Sequence, residues 1–227
     1  MLIDHVGVVL TNIYPDYVHV FIIFRAVGRL AWPIFAYLLA EGFRHTKAHD
    51  KFMMRLLAFA FISQIPYALA FGNTISFTAN TNIFYTLFLG GMAIFLYERY
   101  KARYNGQTMA VIAAILPTAT MAEVLTADYG GLGVCFIFVV YLVKPKIARL
   151  IAVGAFALSQ FIPLVMAYSL GIVFPTEYLL MIPFALATIP LIALHNGKRG
   201  YNWALSKWLF YWFYPAHLAI LAVITML

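Results

Sequence analysis

Positive charge in this chain is confined to a few places, and their spacing decides what it can fold into. Thirteen of the fifteen lysines and arginines fall in or beside four short loops: Arg44, Lys47, Lys51 and Arg55; Arg99, Lys101 and Arg103; Lys144, Lys146 and Arg149; Lys198, Arg199 and Lys207. Apolar runs separate them, and the intervening loops near 11–16, 72–81, 127–128 and 174–177 carry no Lys or Arg. A chain that crosses a bilayer repeatedly gives this alternation, because basic loops stay on the cytoplasmic side. A segment inside hydrocarbon must satisfy its own backbone hydrogen bonds, so spans of this kind are helices.

The predicted fold is therefore all-α: a polytopic membrane helix bundle of about nine transmembrane helices. Composition agrees, with 64% hydrophobic and 10% charged residues where soluble domains average about 25% charged. The net charge of +7 reads as a topology signal, and the partner it implies is the lipid bilayer rather than nucleic acid. The lone cysteine, Cys135, rules out an internal disulfide and a cysteine-based zinc site. The first apolar run opens at Met1 without a basic flank, which is unlike a cleavable signal peptide.

A span needs about 20 apolar residues. Nine segments qualify or come close: roughly 1–14, 17–43, 52–71, 82–98, 108–126, 129–143, 147–173, 178–195 and 208–226. They are expected to form one transmembrane domain over residues 1–227. Its N-terminus would be cytoplasmic and its C-terminus outside, in the cytoplasmic (inner) membrane. The first segment resembles the middle of a span, so the natural start is expected either upstream or in a stubby helix. Prolines inside the spans (Pro33, Pro66, Pro117, Pro163, Pro183, Pro190 and Pro215) are expected to kink helices.

The exceptions to the charge pattern carry the functional reading. Arg25 and Arg29 lie inside the second segment, where an arginine costs at least ~2.5 kcal/mol. Four residues apart, they share one helix face. A helix entering near Tyr17 places them about 12 Å and 18 Å deep. Two guanidiniums on one face repel unless an anion lies between or beside them. Either an internal carboxylate (Asp4, Glu41 or Glu123) supplies it, or the pair binds a polyanion through bidentate contacts to phosphate oxygens.

Other polar residues sit at depth. Asp4 and His5 are adjacent and point about 100° apart on a helix. His5 is a candidate proton acceptor. His217 lies mid-span, two residues after Pro215, with function and a structural hydrogen bond equally open. Glu41, Arg44 and His45 end the second segment and Arg55 opens the third, either as a cap cluster or as a binding surface at the inner mouth. Asp128-Tyr129-Gly130-Gly131 is predicted to be a tight turn, with Asp128 a candidate to hold an amine. Asn196-Gly197-Lys198-Arg199-Gly200 is a basic turn, a topology signal or a phosphate contact. Soluble-enzyme motifs are lacking. The i,i+4 pair His45 and His49 has zinc-compatible spacing inside a cation-repelling loop, so no metal is expected.

With these residues in view, the chain resembles the TraX family, membrane acetylases that modify the N-terminus of conjugative pilin. The stretches that carry the resemblance run in order along the chain: 1–5 (Met-Leu-Ile-Asp-His), 25–35 (from Arg25 to Phe35), 41–46, 55–57 with 63–66, 82–87, 128–130, 196–200 and 213–217. The resemblance implies acetyl-CoA as donor and the amine of a pilin-like membrane protein as acceptor. CoA is a cytoplasmic polyanion, so Arg25, Arg29, Arg44, His45, Arg55, Lys198 and Arg199 become the expected donor-binding residues. His5, His217, Asp4 and Tyr214 become the candidate catalytic groups, with a histidine taking the amine proton and an arginine or Tyr214 stabilising the thioester oxyanion. Glu41, Asn82, Asp128 and Tyr129 become the candidate acceptor contacts. Transfer is expected to be direct. An organic-anion transporter and a structural assembly partner are the alternatives.

Overall fold

In the computed structural model, residues 1–72, 74–103, 107–172, 176–196 and 204–226 are described, without the side chains of 18, 176, 177 and 204–207. Among the described residues there is helix and no strand, as the apolar periodless runs predict. The helices are α1 (Leu2–Ile13), α2 (Val18–Gly28), α3 (Ala31–His45), α4 (His49–Ala70), α5 (Ile83–Tyr100), α6 (Gln107–Val124), α7 (Gly130–Leu142), α8 (Lys146–Ser159), α9 (Ile162–Ser169), α10 (Met181–Leu186), α11 (Thr188–Ala193) and α12 (Ala204–Met226).

Each of the nine apolar segments is helical, but three are interrupted, and proline chemistry explains where. A proline at position i cannot donate to the carbonyl at i−4. Pro33 withholds this bond from Arg29, and α2 gives way to α3 at Arg29–Leu30. Pro163 does the same to Ser159, where α8 ends, and Pro190 to Leu186, where α10 ends. Pro183 lies four residues after Leu179, within the 3₁₀ turn Thr176–Leu180 that leads into α10. By contrast Pro66, Pro117 and Pro215 lie inside continuous helices.

Counting through such breaks, five stretches are long and apolar enough to cross a membrane: His19–His45, His49–Ala70, Gln107–Val124, Lys146–Ser169 and Trp208–Met226. Leu2–Ile13, Gly130–Leu142 and Tyr178–Ala193 are apolar but shorter. At ~1.5 Å per residue α1 extends about 18 Å, short of the ~30 Å hydrocarbon core. The chain is a multi-pass helical membrane protein.

The described residues cluster into two compact units. The first gathers Met1–Phe35 with the chain from Lys144 through α11. Its core is Ile22 and Ala26 of α2, Ala157 of α8, Phe161, and Met181 and Ala185 of α10. Small alanines at these contacts allow close helix approach, the usual device where helix association lacks a hydrophobic drive.

The second unit holds Ala36–Val143 and the last helix. Here α12 lies along α4, and α5 packs against α4, α6 and α7. Phe59 of α4 sits 5.0 Å from Tyr211 and 5.1 Å from Trp212, ring centre to ring centre. Gly90 of α5 admits Ile137 of α7 so closely that a Cβ on it would lie 3.0 Å from Ile137 Cβ. Tyr97, near the end of α5, is buried edge-on against Phe138 at 5.3 Å.

Candidate functional site in the first helical hairpin

The first unit begins with an antiparallel hairpin. The Tyr14 amide donates to Leu10 O (2.8 Å) as α1 ends, and a 3₁₀ turn over Pro15–Tyr17 reverses the chain into α2. Two glycines set how close the helices come. A Cβ on Gly7 would lie 2.8 Å from Phe24 Cβ and 3.2 Å from the Phe21 carbonyl. A Cβ on Gly28 would collide with the Asp4 side chain, lying 2.6 Å from both Cγ and Oδ1. The register thus places Asp4 opposite Gly28, between the two arginines that flank that glycine in sequence.

The result is a three-membered charge cluster. Arg25 Nη1 lies 3.0 Å from Asp4 Oδ1 and Arg29 Nη2 lies 3.9 Å from the same oxygen. The side chains of Arg25, Arg29 and Asp4 are 30%, 21% and 17% exposed. Of the three carboxylates open as partners, Asp4 is therefore the one used, and it serves both guanidiniums. The other two are committed elsewhere: Glu41 pairs with Arg44, and Glu123 Oε1 accepts from the Gly131 amide at 2.7 Å at the head of α7.

The Arg29 contact is long, and its Nε is buried without a hydrogen-bond partner among the described residues. A buried donor in that state is costly, and an anion with several oxygens meets its requirement. The residues present therefore fit a phosphate-bearing ligand. His5 follows Asp4 on α1 and is buried, 7% exposed.

The remaining expected donor-binding residues lie in the second unit or outside the described residues. Arg44 is a helix clamp. Its Nη1 donates to Glu41, and its Nη2 donates to the carbonyls of Val140 (2.9 Å), Tyr141 and Val143 (3.3 Å) at the end of α7. Those carbonyls have no intrahelical donor, and a cation is favoured there. The Arg44 fork is consumed, which corrects its assignment to the donor, and Glu41 is likewise its counter-ion rather than an acceptor contact. His45 Nε2 stands 3.6 Å from the other Glu41 oxygen. His49 Nε2 bonds the Phe43 carbonyl at 3.0 Å and stacks on its ring, so the His45–His49 spacing serves capping. Arg55 lies 6.0 Å from the Tyr211 ring centre, and its buried Nε has no hydrogen bond among the described residues. Lys198 and Arg199 lie outside the described residues.

The candidate acceptor contacts of the second unit belong to a polar knot. Asn82 is fully buried and caps α5: its Oδ1 accepts from the Phe84 amide (3.0 Å), and its Nδ2 donates to Ala60 O (2.7 Å) and Gln64 Oε1 (2.8 Å). Gln64 closes the ring by accepting from the Asn82 amide (3.0 Å) and donating to Asn80 O (3.1 Å). Asn82 therefore takes a capping role in place of substrate contact. Thr81 O accepts from the Asp128 amide (3.0 Å), and the Thr86 hydroxyl donates to Asp128 O. The turn at 128–130 is tight as predicted, with Tyr129 at φ 67° and Gly130 at φ 50°. The sequence reading missed Gln64, Thr81 and Thr86; fully polar side chains inside or abutting an apolar segment were the available signal.

His217 and Tyr214 of the second unit are also buried, at 5% and 3% exposed. His217 Nδ1 lies 2.7 Å from the Phe213 carbonyl. A carbonyl only accepts, so Nδ1 carries the proton and Nε2 presents the lone pair when the ring is neutral. The carbonyl that His217 meets is that of Phe213 rather than the one that Pro215 leaves unbonded. Tyr214 stands edge-on to Phe84 at 5.3 Å and to His217 at 5.5 Å.

With this geometry established, comparison with known proteins gives a family. The family model described as "TraX protein" matches residues 1–225. A curated relative, described as "Probable fimbrial assembly protein FimC, serogroup H1" from Dichelobacter nodosus, is 29% identical over 206 residues, covering 87% of this chain and 80% of the relative. No solved structure matches. Because that family match takes in both the hairpin carrying Arg25 and Arg29 and the helix carrying His217, the whole two-unit chain belongs to the TraX family.

Proposed function

We propose that this chain is an integral membrane acetyltransferase that moves an acetyl group from acetyl-CoA to an amine, the N-terminus of a pilin-like protein. Membership of the family and the relative's name as a fimbrial assembly protein support a pilus-related role. The observation that carries the chemistry is the hairpin cluster: two guanidiniums share one carboxylate, and Arg29 keeps a buried Nε with no hydrogen bond among the described residues.

In this reading Arg25 and Arg29 hold phosphate or the thioester end of the donor. Arginine suits this because its planar fork reaches two oxygens at once. His5, on the same hairpin, accepts the proton as the amine nitrogen attacks the thioester carbonyl carbon. The carbon–sulfur bond then breaks, and the thiol leaves with the proton that His5 returns. General-base catalysis of this kind contributes about 10²–10⁴-fold. We place the basic loops in the cytoplasm, where CoA is found, with the N-terminus inside and the C-terminus outside in the inner membrane.

The test is intact mass of a pilin-like N-terminal peptide incubated with proteoliposomes of the chain and acetyl-CoA. Addition of one acetyl group, lost in Arg25→Ala and His5→Ala proteins that still insert, is the expected result. An unmodified peptide together with uptake of an organic anion would replace transfer with transport.

A further inference from the structure

Asp4 occupies the spot an incoming anion would need. Its carboxylate lies 3.0 Å from Arg25 and 3.9 Å from Arg29. It reaches that spot because Gly28 has no Cβ; any side chain there would collide with Cγ and Oδ1. The seat is snug yet poor in directional bonds: Asp4 Oδ1 is buried and, among the described residues, makes no hydrogen bond that satisfies distance and angle. An ion pair without well-aligned hydrogen bonds holds its charge neutralised but recovers little of the cost of leaving water. A ligand with several oxygens would meet the Arg29 guanidinium better, since its Nε has no hydrogen bond among the described residues and its contact with Asp4 is 3.9 Å long.

We infer that Asp4 is a built-in counter-anion, seated on the arginine pair by Gly28, that an anionic phosphate-bearing ligand must displace in order to bind. This inference rests on the reading of Arg25 and Arg29 as an anion grip, and gives Asp4 a positioning and regulatory part instead of a catalytic one. In the resting state Asp4 lowers the repulsion between the arginines and keeps the hairpin closed. The same contact weakens the grip for any ligand, because its binding includes the cost of releasing the carboxylate.

The experiment measures binding of coenzyme A and, separately, inorganic pyrophosphate to the purified full chain in nanodiscs. Wild type is compared with Asp4→Asn, which removes the charge, and Gly28→Ala, which pushes the carboxylate off its seat without changing charge. Both variants are expected to bind both probes on the order of tenfold more tightly, within the usual span of coupling between two occupants of one site. Each is also expected to be less heat-stable without ligand and to gain more from ligand than wild type does. Adding Arg29→Gln to Asp4→Asn should remove the gain.

A third measurement needs no variant: carbodiimide labelling of Asp4 in wild type, read by peptide mass, should rise when either probe is added. Unchanged or weaker binding in folded variants overturns the inference, as does ligand protection of Asp4 from carbodiimide. Tighter binding of pyrophosphate with no binding of coenzyme A keeps the displaced counter-anion and removes the acetyl-CoA reading. Failure of both probes to gain in either variant removes the counter-anion itself.

Discussion

Replacing Asn82 with alanine separates a cap from a substrate contact. The substitution removes three hydrogen bonds in the second unit's buried knot: from the Phe84 amide (3.0 Å), to Ala60 O (2.7 Å) and to Gln64 Oε1 (2.8 Å). Loss of the N-cap costs about 1 kcal/mol. The two donor bonds contribute about 1 kcal/mol each. The full penalty for stranded polar groups does not apply to Gln64 Oε1, which keeps the Asn82 amide at 3.0 Å. The expected loss is therefore about 3 kcal/mol. Asn82→Ser, which keeps an N-cap acceptor but cannot reach both α4 acceptors, should lose about 2 kcal/mol. Denaturant unfolding in mixed micelles reads both losses, and acetyl transfer by the folded fraction should stay within about threefold of wild type. A stability loss below about 1 kcal/mol combined with abolished transfer would refute the capping role and return Asn82 to the acceptor site.

Further outcomes follow from the same geometry. Arg44→Lys should be nearly as destabilising as Arg44→Ala, because one ammonium cannot serve both Glu41 and the α7 carbonyls; unfolding midpoints of the two variants measure this. Gly90→Ala should cost about 1–3 kcal/mol by overpacking against Ile137, visible as a lower melting temperature. His5→Gln should reduce transfer at least ~10²-fold while leaving coenzyme A binding intact, measured by single-turnover transfer and by equilibrium binding. The opposite pattern, an active His5→Gln and an inactive, folded His217→Gln, would move the base to α12.

Much of the architecture was legible because it follows from local rules. Long apolar runs without charge must become helices in hydrocarbon, and all nine segments did. The turn at 128–130 was readable from Asp-Tyr-Gly-Gly alone. The breaks were not read correctly: prolines look alike in sequence, yet Pro33, Pro163, Pro183 and Pro190 follow interruptions while Pro66, Pro117 and Pro215 do not. The difference depends on what packs around the bereft carbonyl, which one sequence does not reveal. Asn82 directly before an apolar run is a readable N-cap signal, but the family resemblance drew it toward substrate.

The arginine pair was visible as an expense at depth, and three carboxylates were open as its partner. Choosing Asp4 among them required the register between α1 and α2, which Gly7 and Gly28 set by close approach. Arg44 shows the reverse case. Its end-of-span position reads equally as a ligand contact or as a cap, and only the location of the α7 carbonyls decides it.

Equilibrium binding of radiolabelled acetyl-CoA to the purified chain, wild type beside Arg25→Gln and Arg29→Gln, addresses the guanidinium grip most directly. Saturable binding by wild type, weakened about 10- to 100-fold in each variant as expected for loss of a charged hydrogen-bonding partner, is the predicted result. Equal affinity in all three proteins, or no binding by any of them, would contradict it.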